Sequence, residues 1–267
     1  MRLSLGITPK SYFSLAAAND ADAQAFIDAA GITDATQKSA VNQLVLDLKS
    51  ASIWTKMKAI YPIVGGTAST HKYNLKDPRD LDAAFRLSFS TGWTHSSTGM
   101  TPVNAYANTF LNPTTELFNQ NEGSYGLYSR TSRLVNGGAQ HGTFKTGGYT
   151  LLIIYSIGNI IQNYHNSTTT TSIANPNSLG FYQMSRTSST NTFHTKNATV
   201  NTVSLTSTIN SNLNFYFGAR NNNGTADSFD SVQLSFMYIA KDGLQSTELI
   251  QLYTAVQNYQ TTLSRQV

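Results

Sequence analysis

The sequence predicts a mainly β protein, an antiparallel two-sheet sandwich preceded by a short helical region and closed by a C-terminal helix. Three observations carry this reading. Large apolar residues alternate with polar ones at Phe85, Leu87 and Phe89, at Leu213, Phe215 and Phe217, and at Val232, Leu234 and Phe236, the period of a strand with one buried face. The run Tyr149–Ser156 is apolar in both registers, as suits a strand in the middle of a covered sheet. Charged residues make up only 12% of the chain, against about a quarter in average soluble domains. The polar surface therefore falls to Thr, Ser and Asn, which suit strands and turns.

The elements follow in order. Residues 1–18 have no strong period and fit either an extended arm or a local edge strand. Asn19 or Asp20 can cap a helix running to about Ala30, with Gly31 as its stop, and Thr33 or Asp34 can cap a second. In that second helix Val41, Leu44, Val45 and Leu48 fall at i, i+3, i+4 and i+7, so one face is apolar and must pack. It packs either on the chain's own sandwich or on a neighbouring subunit, which makes these four the candidate assembly residues. A change of texture near Lys58, from Ala-rich to Thr-, Asn- and aromatic-rich, divides the chain into an anchoring region, 1–57, and a sandwich, 58–267.

Further strands are expected at Ala59–Val64, Ser124–Ser129, Gly180–Arg186 and Ala198–Leu205, and Gly158 with Asn159 offers a tight turn into Ile160–His165. The last helix begins after Gly243 with Ser246 as cap, Glu248 in the first turn, and a buried stripe of Leu249, Leu252, Tyr253 and Val256.

Charge and composition exclude several classes of function. The net charge of +4 comes from 18 basic and 14 acidic residues that are scattered rather than gathered, which argues against a nucleic-acid partner. With no cysteine, neither disulfides nor thiolate metal sites are available. The apolar run Leu151–Tyr155 is far too short to span a bilayer, and Met1–Ile7 is cut short by Pro9 and Lys10, so neither membrane insertion nor a secretory signal is expected.

Two stretches carry a family likeness. Asn214–Lys241, with FYFGARN, a polar loop and DSVQLSFMYIA, resembles the closing hairpin of concanavalin A-like, laminin G-like jelly rolls. Phe26–Gly99 is similar to a module found in structural proteins of bacteriophages, especially phages of Bacteroidota, ahead of the same jelly roll. The resemblance implies a homo-oligomeric virion surface protein (a spike, head fibre or tail component), made in the host cytoplasm. Its N-terminal region would contact other virion subunits while its jelly roll contacts host-surface glycans. A freestanding carbohydrate-binding module is the alternative, and a polysaccharide lyase the third reading.

Catalytic constellations are not expected. Glucanases of this fold carry a Glu-x-Asp-x-Glu strand, whereas Glu116, Glu122 and Glu248 are the only glutamates and none has an aspartate two residues away. His71, His95, His141, His165 and His194 show no metal-pair spacing on one element. No cofactor is expected beyond a candidate calcium loop of Asn221, Asn223, Asp227 and Asp230, since hard cations take several oxygens. Asp77, Asp80 and Asp82 form a second acidic group that reads as a turn and a strand entrance. Glycan binding needs aromatic platforms beside amides or hydroxyls, and Trp93, Tyr106, Tyr125, Tyr128, Tyr164 and Tyr182 are the candidates on or near loops.

Overall fold

The computed structural model describes residues 18–132, 138–156 and 160–267. The arm expected at the N-terminus, apart from Ala18, and the turn expected at Gly158 and Asn159 lie outside the described residues.

Local chemistry sets the first helices. α1 (Ala21–Ala30) begins where the Asp20 carboxylate accepts from the Asp22 N–H and ends at Gly31, whose φ of 64° is the left-handed conformation glycine tolerates. α2 (Ala35–Ser50) begins where Asp34 accepts from the Gln37 N–H. Then follow β1 (Met57–Tyr61), α3 (Ala68–His71), β2 (Ser88–Phe89), β3 (Trp93–Ser96), β4 (Gly99–Pro102), β5 (Ala107–Asn108), β6 (Gly123–Ser129), β7 (His141–Lys145), β8 (Gly148–Ser156) and β9 (Ile160–Ser167). The chain continues through β10 (Thr171–Ala174), β11 (Gly180–Arg186), β12 (Asn191–Lys196), β13 (Thr199–Ser204), β14 (Tyr216–Phe217), β15 (Arg220–Asn222), β16 (Thr225–Asp227), β17 (Leu234–Ala240) and α4 (Ser246–Thr262). The expected cap of α4 shifts by one residue. Gln245 is the N-cap, and the Glu248 carboxylate accepts from its backbone N–H at 2.8 Å, a capping box.

The strands form two sheets, antiparallel except for one short parallel pairing of β15 with β7. Sheet one runs β13-β12-β11-β6-β17-β4-β3, with β1 also against β17, and sheet two runs β10-β9-β8-β7-β14-β5-β2, with the β15–β16 hairpin attached. Three layers result: helices, sheet one, sheet two. One core joins α1, α2 and α4 to sheet one through Phe26, Leu44, Phe181, Phe236, Leu252 and Tyr259. The other fills the space between the sheets with Leu127, Leu152, Ile154, Met184, Phe217 and Ile239. Sheet one is therefore covered on both faces, and every residue of β6, β11 and β17 is buried.

Three expectations need correction. Val41, Leu44, Val45 and Leu48 are at most 1% exposed inside the helix core of this chain, so they have no surface to offer a neighbour. The first alternating trio is not one strand: Phe85 ends a 3-10 turn with φ 60°, and only Ser88–Phe89 pairs. In the last trio, the pairing of β17 with β6 shifts between Leu234 and Phe236. Ser235 is the extra residue of this bulge, and the shift sends Leu234 into the inter-sheet core but Phe236 against the helices.

Candidate functional site

With the central strands of sheet one buried on both sides, sheet two supplies the open face of the sandwich. Along β7, β8 and β9 the inward positions Leu152, Ile154 and Ile161 fill the core, while Phe144, Tyr149, Ile153, Gln162 and Tyr164 are half-buried on the other side. Cross-strand register then assembles them. Phe144 lies opposite Tyr149 across the β7–β8 hairpin, and their rings stack at 4.1 Å with an interplanar angle of 10°. Tyr164 meets Tyr149 edge to face at 5.8 Å. On β14, Tyr216 stacks on Tyr106 at 4.5 Å. Leu151 belongs to the same outward register yet is only 2% exposed, so its neighbours close over it and the face is a surface rather than a cleft.

A polar edge adjoins the rings. The Arg220 guanidinium lies 4.2 Å over the Phe144 ring. It donates through Nε at 2.5 Å and Nη2 at 3.1 Å to the two oxygens of Asp227, while Asn222 donates to Asp227 Oδ2 at 2.8 Å. Hydrogen bonding from Arg220 holds the Asp227 carboxyl below the usual carboxylate range. The arrangement offers aromatic surface, phenol hydroxyls, an amide and a fixed ion pair within one sheet face. That is the chemistry that recognises polyhydroxylated, partly apolar molecules.

Of the aromatic candidates named from sequence, Tyr106 and Tyr164 join this face and are half-buried. Trp93 is half-buried elsewhere, where β2 and β3 meet, packed on Phe89 at 5.6 Å with its indole N–H buried. Tyr125, Tyr128 and Tyr182 are corrected: each is at most 1% exposed. Tyr125 lies between the sheets, the Tyr128 hydroxyl donates to Gln257, and the Tyr182 hydroxyl donates to the Asn177 carbonyl. Burial pushes the Tyr125 and Tyr182 phenols up. The missed members are Phe144, Tyr149, Tyr216, Arg220 and Asn222. The available signal was a pair of aromatics placed symmetrically about Lys145–Gly148, which a tight hairpin sets opposite each other.

Three of the four calcium candidates use side-chain oxygens in local hydrogen bonds or an ion pair. Asn221 Oδ1 accepts from the Gly224 N–H, Asp230 Oδ2 accepts from the Val232 N–H, and Arg220 occupies Asp227. Asn223 sits exposed at the hairpin tip with φ 50°. Asp77 pairs with Arg79, Asp80 with Lys72 and Arg86, and Asp82 with Arg86. Among the described residues no three His, Asp or Glu side chains gather as a metal-holding group.

The histidines, dispersed in sequence, are brought together in two places. His71 and His95 face each other Nδ1 to Nδ1 at 2.9 Å. His141 and His165 flank the buried Tyr125 ring at 5.4 and 4.9 Å, and neither nitrogen of the His165 ring has a hydrogen-bond partner. Burial lowers His141 to about 3 and His194 to about 4, and it holds His165 well below the ordinary value.

No family model and no curated protein matches the chain. Solved structures do match in fold. One is a mutant of Trypanosoma rangeli sialidase displaying trans-sialidase activity, with TM-score 0.54 and 10% identity over 83% of this chain and 39% of that one. Another is domain 4 of the extracellular arabinanase AbnA from Geobacillus stearothermophilus, in complex with arabinotriose, with TM-score 0.51 and 11% identity over 74% of this chain and 98% of that domain. A third is botulinum neurotoxin type C, whose cell entry depends on two ganglioside molecules, with TM-score 0.51 and 10% identity over 78% and 53% of the two chains. The chain thus spans about two fifths of the sialidase and about half of the neurotoxin chain. At these identities the likeness is one of fold alone: a two-sheet, largely antiparallel β-sandwich.

Proposed function

We propose that this chain is a non-enzymatic glycan-recognition module that works through the outer face of sheet two. The observation that carries the reading is the Arg220–Phe144–Tyr149 ladder beside Tyr164, with Asp227 and Asn222 at its edge. Partly exposed aromatics at several adjoining positions add apolar area that water disfavours, and such surface marks a binding face. The fold neighbour in complex with arabinotriose supports a saccharide as ligand.

The non-enzymatic part rests on how the carboxylates are used. Glu116 pairs with Lys58 and Glu248 with Lys56, and Asp227 is held by Arg220. The resemblance of Phe26–Gly99 to a module of phage structural proteins that precedes such a jelly roll supports placing the module on a virion surface as one of several copies, with host-surface glycans as its target.

The test is a glycan array probed with the full chain and repeated with Phe144→Ala. Binding by the wild type that the variant loses supports the reading, and an empty array for the wild type overturns it. Sedimentation of the purified chain separates an assembling subunit from a freestanding monomeric lectin.

A further inference from the structure

The charges of the outer face are few and they cancel. β5, β8, β9, β10 and β14 contain no Lys, Arg, Asp or Glu. Lys145, at the end of β7, falls in the register opposite to Phe144 and donates to Asn212. The charged groups that β15 and β16 contribute are Arg220 and Asp227, and each neutralises the other.

The way they do so matters. An arginine reads a carboxylate through a pair of parallel N–H groups, and the Nε/Nη2 edge is one of the two edges able to do so. In this protein that edge is filled by both oxygens of Asp227, the guanidinium face lies on Phe144, and Asn222 donates to the same Asp227 Oδ2 that accepts from Nη2. An arriving uronate or sialate therefore meets a cation with one of its two carboxylate-reading edges spent and its charge already balanced, beside an anion whose side chain is 36% exposed. A neutral sugar carries no charge to be opposed, and its hydroxyls can use the remaining Arg220 N–H groups and the lone pairs of Asp227.

We infer that the outer face selects uncharged saccharides over acidic ones and that Asp227 sets this specificity, an inference that rests on the glycan-binding reading of the same face. Asp227→Asn keeps the size of the side chain and removes the anion, leaving Arg220 as an unbalanced cation on an aromatic bed.

The experiment measures calorimetric binding of the full chain to neutral oligosaccharides and to uronic-acid- and sialic-acid-bearing counterparts. The expected result is a wild-type preference for the neutral set of about tenfold or more, since a juxtaposed like charge is strongly unfavourable. Asp227→Asn should narrow or reverse that preference, with acidic binding that weakens as salt rises. Adding Arg220→Gln to it should abolish the gained acidic binding. A wild type that prefers acidic saccharides, or an Asp227→Asn variant with unchanged preference, overturns the inference while leaving glycan binding intact. Binding of neither class by the wild type overturns the functional reading and this inference with it.

Discussion

The Ser235 carbonyl, displaced from the regular ladder by the bulge in β17, accepts a hydrogen bond from Nη2 of Arg265 at 3.3 Å. The same guanidinium, 2% exposed, also donates to the carbonyls of Pro62, Ile63 and Ser97 and to Gln260 Oε1. One side chain from beyond α4 thus satisfies backbone groups from the segment after β1, the segment after β3 and the bulge. The bulge in turn decides that Phe236 faces the helices, so the join between helix layer and sheet one depends on Arg265.

Arg265→Met is expected to lower the unfolding free energy by about 3 kcal/mol or more, because it strands several buried carbonyls, each costly when unpaired. Arg265→Lys should recover only part, since one ammonium cannot span the same fork of acceptors. Urea denaturation checks this, and a midpoint unchanged in Arg265→Met would show that the bulge holds without its clip.

Leu44→Ala separates the two roles open to α2. Leu44 is 1% exposed in the helix core, and truncating such a residue costs about 2–5 kcal/mol. The expected outcome is a large drop in melting temperature with the sedimentation coefficient of the folded protein unchanged. Loss of an oligomer without loss of stability would instead restore an assembly role for the helix.

Stability should fall below neutral pH through the histidines between and beside the sheets. His141, His165 and His194 are buried, and burial lowers each in the folded state, to about 3 for His141 and about 4 for His194. The unfolded chain binds protons near the ordinary 6.5 or so. Their stabilising contribution is therefore complete above that value and is lost as pH falls below it, flattening only near the folded values. The groups around them sharpen the effect. Arg186 donates to the His165 carbonyl at 2.6 Å and already places a cation there, and Tyr125 stays a neutral phenol. Each histidine contributes a slope of about 1.4 kcal/mol per pH unit. Thermal melts from pH 7.5 to 4.5 should show a steep decline that His141→Leu makes shallower; a flat profile to about pH 5 would contradict this.

How far the fold was legible depends on where each decision is made. The caps at Asp20 and Asp34 and the stop at Gly31 are local, and they stand where the residues put them. β11 spans Gly180–Arg186, the range its residues suggest. The misread trios involve non-local contacts: the Tyr61 hydroxyl donates to the Phe85 carbonyl at 2.6 Å, and the register of β17 against β6 shifts at Ser235. The site was less legible still. A tyrosine near a loop looks the same in sequence whether its ring points outward, as Tyr164 does, or inward, as Tyr182 does. Only the register of β7 against β8 sets Phe144 on Tyr149.

The same contrast supplies a test of the binding face. Tyr149 and Tyr164 are half-buried on the outer face, and removing one ring there forfeits an aromatic contact of about 0.5–1.5 kcal/mol. Tyr149→Ala and Tyr164→Ala should therefore melt within a few degrees of the wild type yet bind saccharide at least about tenfold more weakly, the loss expected when a stacking anchor is removed. Tyr125→Phe and Tyr182→Phe, whose rings lie inside the core, should leave binding untouched. Their effect should appear only in stability: Tyr125→Phe removes a buried hydroxyl that has no partner and should be neutral or stabilising, while Tyr182→Phe breaks hydrogen bonds to Asn175 and Asn177 and should cost about 1 kcal/mol or more. Binding that survives both outer substitutions but is lost in Tyr125→Phe would move the site away from sheet two's open face.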